Sequence, residues 1–473
     1  MSKLGAILFL FVFCFCLKSI AQQKSGGKTD NLEYYIQNKK IGLRDKATKK
    51  LVVPCKYDYI GSFSKTGLTS AKRDGLCGYI NSHAVEVIKP QYQAAYYFPE
   101  NGIAAVKKNG KWGYINKVGT IKIPFEYDEA NSFSEGLAIV KKGGKWGAIN
   151  SLGNTVIPFR YDEFRSFSKE GVASVSLSNK WGMIGKKGNI LIECKYDNVF
   201  YLNKDGYAVV KRDGKYGVVK KDGKEVVTCE YEGAGNLSDG LLAVKKGKKW
   251  GYVDIYGNMI IPYRFESSRD FNNGTAGVYD EHGSYIIAKD TRTIKAFPNS
   301  SLIFTVSYCE DTSYYVLYKS GKHGLADDKG SIILPIKYED IKSNYGDGLF
   351  AVKDNNKWGF VDTSGRVKIQ FKYEDTNYYF KDERITAKYQ GKWGLINTTD
   401  NVITNFEYDE IKQYTGFAEV KKGDKWGAIN LDGKKLLECK YDEVGWLNSS
   451  YGYFTVKLNG KDGYVDLYGN DTF

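Results

Sequence analysis

Histidine and methionine are nearly missing from this 473-residue sequence, at three copies each. So few imidazoles leave little material for a metal cluster or for histidine acid–base chemistry, which argues against an ordinary hydrolase or metalloenzyme. After residue 17 no apolar run is long enough to cross a membrane as a helix, and no later segment has helical periodicity. A G-x-S-x-G nucleophile elbow is missing too. Gly27-Lys28-Thr29 imitates the end of a phosphate-binding loop, but Gln22 stands where the first glycine is required. His83 and His282 fall in turn-like stretches. Nothing here supports catalysis, a cofactor or a metal.

What the sequence does contain is tyrosine (38), glycine (52) and charge, with 69 Lys+Arg against 55 Asp+Glu and a formal net charge of +14. A hydrophobic fraction of 42% is enough for a folded core. Residues 1–21 form a predicted signal peptide: Lys3, an apolar stretch from Leu4 to Leu17, then Ser19-Ile20-Ala21 as the cleavage site. At ~1.5 Å per residue that stretch reaches about 21 Å, short of the ~30 Å hydrocarbon core. Phe13 before Cys14 argues against a lipoprotein. The chain is therefore expected in the periplasm, at the outer cell surface or outside the cell. No transmembrane anchor is expected after cleavage, and nucleic acid is not an expected partner. Residues 22–37 read as a polar linker and lead-in segment.

A repeat governs the rest. Lys111-Trp112-Gly113-Tyr114-Ile115-Asn116 returns as Lys145-Trp146-Gly147-Ala148-Ile149-Asn150. The slot before the glycine holds Trp112, Trp146, Trp181, Tyr216, Trp250, Trp358, Trp393 and Trp426, and in weaker copies Ile41, Cys77, His323 or Asp462. Steps between slot glycines are 33 to 36 residues, apart from one of 73 that holds a degenerate copy with Tyr285-Ile286. That makes thirteen units: repeats 1–7 over 38–267, a degenerate segment over 268–322, and repeats 9–13 over 323–473. An aromatic–acid pair such as Tyr127-Asp128 or Tyr161-Asp162 follows fourteen residues after the glycine, often with proline three residues ahead of the tyrosine. On these residues the sequence resembles the WG-repeat family of bacterial β-repeat proteins. The resemblance implies a repetitive β structure in exported or multidomain proteins, with no general enzymatic activity and no set of functional residues to transfer.

One unit predicts its own strands. Leu137–Val140, a glycine turn and Lys145–Asn150 form a hairpin; an Asn-opened turn closed by Gly153 follows, then a third strand that Pro158 ends. Both faces of the slot strand are apolar, so neighbouring units must cover each other. The expected fold is all-β: tandem three-stranded hairpin repeats of about 35 residues stacked as an open solenoid or superhelix. One or two closed propellers are the alternative, with two needed for thirteen units. The slot aromatics are expected to be the structural core of the repeat.

Cys55, Cys194, Cys229 and Cys439 take a repeat position held elsewhere by Phe125 or Phe159, which marks them as small hydrophobes. Cys194 and Cys229, in adjacent units, are the one pair placed to bridge. The repeated acid after tyrosine is expected to cap turn amides or pair with a lysine. Two features remain as candidate binding elements. Lysine pairs recur at the hairpin, at Lys107-Lys108, Lys141-Lys142, Lys245-Lys246 and Lys421-Lys422, and stacked units would align them as a basic ridge. Trp446, the tryptophan outside the slot, is a candidate platform for a sugar ring or an apolar peptide. The degenerate stretch stays rich in tyrosine, at Tyr308, Tyr314, Tyr315 and Tyr318. The expected function is a non-catalytic exported binding or scaffold protein, presenting a long surface to a protein or an envelope polysaccharide. A purely structural spacer is the alternative.

Overall fold

The computed structural model describes residues 31–290, 293–298, 301–309, 312–342, 348–377, 383–448, 453–467 and 469–473. The predicted signal peptide lies outside these residues, as do the side chains of Tyr308 and Cys309. The described residues form thirteen antiparallel sheets in chain order, most with four strands and three with three. Among them no helix is long and apolar enough to cross a membrane.

The fourth sheet shows how the repeat folds. Its strands are Glu129–Ala130, Leu137–Lys142, Lys145–Asn150 and Thr155–Tyr161, paired in that order. Gly143 and Gly144 turn the central hairpin with φ of 58° and 77°, the left-handed region that a tight two-residue hairpin needs. Asn150 opens the next turn, its Oδ1 accepting from the amides of Leu152 and Asn154 at 3.0 Å each.

The fourth strand departs from the sequence-based expectation, because it continues through Pro158 to Tyr161. Trp146 pairs with Tyr161 and Ala148 with Ile157, so a step of two residues on one strand faces four on the other. Pro158 sits in this bulge, where no ladder hydrogen bond is asked of it. Gly147 lies opposite. A Cβ there would stand 2.6 Å from the Ile157 carbonyl oxygen and 2.9 Å from Phe159 Cδ1. The eighth sheet supplies the contrast. The register puts Ser284, not Tyr285, in the slot and Tyr285 in the glycine's place, and the pairing runs unbroken through Ser284–Phe297, Tyr285–Ala296 and Ile286–Lys295. Without the glycine there is no bulge at the slot.

The core lies between sheets. Ala148, Ile157 and Tyr161 of the fourth sheet pack on Ala173, Val175 and Ile184 of the fifth. Gly147, Ala148 and Ile149 are all buried, so the slot strand is covered on both faces.

Two expectations about architecture are corrected. The unit has four strands and not three, because the segment after each Tyr-Asp pair contributes a short strand (Glu163–Phe164 in the fifth sheet). The array is also a closed, propeller-like ring of thirteen sheets, not an open solenoid. Leu32–Gln37 of the first sheet lies against Lys461–Asp466 of the last. The Ile36 amide donates to Asp466 Oδ2 at 3.2 Å, and the Tyr34 and Tyr453 ring centres are 4.2 Å apart. Tyr453 joins the core cluster of the first sheet. Rotations between neighbouring twisted sheets accumulate until the ends meet. Closure by contact buries the apolar faces that an open array leaves at its ends.

Candidate binding surface

Six of the slot aromatics, Trp112, Trp146, Trp181, Tyr216, Trp358 and Trp426, hold a cation or a second ring against the indole or phenol. Trp146 pairs across the strands with Lys141, whose Nζ lies 5.4 Å from the indole centre. Lys421 and Trp426 repeat this at 5.6 Å, Lys211 and Tyr216 at 5.1 Å. A residue four past the preceding repeat tyrosine adds a cover: Tyr96 stacks on Trp112 at 5.0 Å, Arg165 lies 4.2 Å from Trp181 and Lys412 4.1 Å from Trp426. Trp358 is fully buried, whereas Trp112, Trp146, Trp181, Tyr216, Trp250, Trp393 and Trp426 are half-buried. The large side chains with the least exposure are tyrosines and phenylalanines, such as Tyr114, Tyr161 and Phe98.

The repeated acid joins neighbouring sheets. Asp128, between the third and fourth sheets, pairs with Lys111 of the third and accepts the Gly144 amide of the fourth at 3.0 Å. Lys111 and that amide hold its carboxyl below the usual carboxylate range. Asp197 does the same with Lys180 at 2.6 Å and Gly214 at 3.1 Å, and Asp442 with Lys425 at 2.5 Å and Gly460 at 3.0 Å. The sequence assigned this acid a turn or a lysine; the structure gives it both, and so makes it a clamp between units.

The lysine pairs face an acid or a ring at most of the candidate positions. Lys141 pairs with Glu129 at 3.0 Å, Lys142 with Glu126 at 2.9 Å, Lys246 with Glu230 at 3.4 Å and Lys422 with Glu407 at 2.7 Å. Lys108 donates to Gln91 Oε1 at 3.2 Å. Lys107 and Lys245 stand opposite Trp112 and Trp250 in the strand register. The first lysine of each pair thus shares a face with the tryptophan. Lysines and carboxylates are paired at Lys141, Lys142, Lys246 and Lys422.

Trp446 is 69% exposed. Tyr97 and Tyr201 occupy the same repeat position and are also exposed, at 57% and 66%. No repeat motif marks them, since they follow the aromatic–acid position in a segment without periodicity. Nor does a motif mark the exposed apolar belt at the second turn and the start of the fourth strand, with Val118, Ile121, Leu152, Ile190 and Tyr256. Glu419 was missed as well: it is 6% exposed in the twelfth sheet, and burial pushes its carboxyl up to about 7. Cys55, Cys77, Cys194, Cys229 and Cys439 are free thiols, so Cys194 and Cys229 do not bridge. Cys194 Sγ donates to the Val175 carbonyl at 3.7 Å, and burial raises its thiol. Among the described residues no group of three or more His, Cys, Asp and Glu side chains is arranged to hold a metal ion.

A family sequence profile described as "WG containing repeat" matches residues 42–77, 78–112, 112–146, 146–181, 181–216, 216–250, 250–285, 324–358, 358–393, 393–426 and 426–461. No curated protein matches. A eukaryotic initiation factor structure aligns with a TM-score of 0.37 and 8% identity, over 72% of this chain and 96% of that one. The tricorn protease aligns at 0.27 and 10%, over 92% and 61%. PorZ, titled an essential bacterial surface component of the type-IX secretion system of Porphyromonas gingivalis, aligns at 0.22 and 8%, over 87% and 72%. At such scores none of these structures lends this chain a function.

Proposed function

The chain belongs to the family of WG containing repeat proteins, and from that premise we propose that it is a non-catalytic binding scaffold of the cell envelope whose partner is a protein. The observation that carries this reading is the use of the repeated polar groups in holding the ring together. The recurring carboxylates clamp neighbouring sheets, and the recurring lysines cover slot rings or pair with acids. What the rim leaves uncovered is apolar and aromatic: Val118, Leu152, Tyr97, Tyr201 and Trp446. Exposed aromatic and aliphatic groups on a rigid frame suit a protein surface. An acidic polysaccharide calls for a field of unopposed cations, and pairing at the rim weakens that field. The spacer reading has no specific feature in its favour.

Co-sedimentation of the purified protein with envelope fractions across a salt series tests this proposal. Saturable pelleting that persists at high salt, and that survives charge reversal at Lys141 and Lys142, is expected. Pelleting abolished by salt and by that reversal would restore the polysaccharide ridge. No pelleting at any salt would overturn the binding role.

A further inference from the structure

The last sheet, Glu443–Asn448, Tyr453–Leu458 and Lys461–Asp466, keeps the frame of the slot but not its ring. Its register repeats that of the twelfth sheet: Glu443 faces Lys457, and Lys457 faces Asp462, as Glu410 faces Lys421 and Lys421 faces Trp426. Asp462 therefore stands where eleven other sheets place Trp, Tyr, His, Cys or Ile and the eighth places Ser284. Its side chain is 91% exposed, turned out to solvent. Gly445 stands where Lys412 covers the indole of Trp426. Both groups that would fill this volume are absent together. A cleft of about 360 Å³ remains, lined by Glu443, Gly445, Thr455, Lys457, Asp462 and Tyr464 among others. That volume falls in the ~300–1,000 Å³ range of ligand sites.

The cation of the slot is retained. Lys457 corresponds to Lys141, Lys211 and Lys421, each of which lies 5.1 to 5.6 Å from the centre of its own aromatic ring. In the last sheet it has no ring and turns to Glu443 at 3.5 Å and Asp462 at 3.9 Å. Two carboxylates against one ammonium leave the mouth of the cleft with an excess negative charge.

We propose that this vacated slot takes an aromatic side chain supplied by a partner polypeptide, a tryptophan or tyrosine beside a lysine or arginine. The ring enters between Gly445 and Lys457, the cation faces it as in the other sheets, and the neighbouring basic residue meets Glu443 and Asp462. An aromatic anchor in a preformed pocket is the usual centre of a protein–protein contact. The inference rests on the scaffold reading and gives it a site.

The test titrates the full protein with acetyl-Lys-(5-fluoro-Trp)-Gly-amide, observed by fluorine NMR. Saturable binding is expected for the wild type, several-fold weaker binding for Lys457→Ala, and none for Asp462→Trp. The last variant restores the repeat's own ring, so its unfolding temperature should not fall below that of the wild type. No binding by the wild type, or equal binding by Asp462→Trp, would overturn the slot. Sedimentation equilibrium covers a second copy as occupant: self-association abolished by both Trp446→Ala and Asp462→Trp would also overturn the proposal. Envelope pelleting separates the two readings. If pelleting persists while the peptide fails to bind, the slot falls and the scaffold stands; peptide binding without pelleting gives the reverse.

Discussion

Trp146 illustrates how the repeat's most visible residue can mislead about where its stability lies. The indole presents one face to the core and the other to Lys141, 5.4 Å away. Its removal opens less of a cavity than that of a buried ring. Full truncation of a buried aromatic costs ~3–5 kcal/mol, so Trp358→Ala should fall in that range and Trp146→Ala near 2 kcal/mol. Urea unfolding of the two variants measures the difference, and equal losses would contradict it. Glu419 gives a second residue-scale expectation. Burial lifts its folded pKa to about 7, above the ~4.3 of an unfolded glutamate. The stability tied to its proton is complete below ~4.3 and is lost as pH rises through about 7. One pKa unit corresponds to about 1.4 kcal/mol, so Glu419→Gln should gain roughly 3–4 kcal/mol on the wild type between about pH 4 and pH 8. Thermal unfolding at the two pH values checks the sign.

The bulge, the hairpin and the clamp act at the scale of the element. Gly143 and Gly147 look alike in sequence and differ in what surrounds them. A Cβ on Gly143 meets nothing within 4 Å, and its φ of 58° makes alanine costly by only about 1 kcal/mol. A Cβ on Gly147 meets the Ile157 carbonyl at 2.6 Å, a backbone atom that cannot step aside. Gly147→Ala should therefore cost about 3 kcal/mol, the upper end for overpacked cores. Circular dichroism melts of both variants separate the cases. Asp128→Ala removes a lysine partner and a turn amide's acceptor together, for a loss of about 1 kcal/mol. Its carboxyl is held low, so its contribution is present above the unfolded value near 3.9 and disappears as pH falls through the folded one. The wild-type advantage over Asp128→Ala should vanish in acid. Strand order, hairpin and turn chemistry were readable because each lies within a few residues. The passage of the fourth strand through Pro158 was not, since a bulge depends on a glycine in a different strand. The short strand after Tyr-Asp escaped because two residues carry no periodicity.

Closure belongs to the whole molecule. No residue within a unit encodes the rotation from one sheet to the next, so period and apolar patterning suit an open superhelix as well as a ring. The information lies in contacts 430 residues apart, between Ile36 and Asp466 and beside them Tyr34 and Tyr453. Trp446 was legible as the tryptophan out of phase, but the vacancy next to it shows only when the last sheet is set on the twelfth. The seam joins two separate sheets without a shared strand. Tyr34→Ala should thus loosen the seam and leave the other interfaces intact. X-ray scattering would show a larger radius of gyration with an unchanged β-type circular dichroism spectrum. A seam of this kind also makes the ring keep count. An open array can gain or shed a copy and remain the same object one step longer or shorter, whereas a ring that loses one copy cannot meet itself. The eighth unit, which has given up both its tryptophan and its glycine, holds a place that no neighbour can stretch to fill. In such a molecule a worn copy outlasts its own sequence, because its width is what the circle needs.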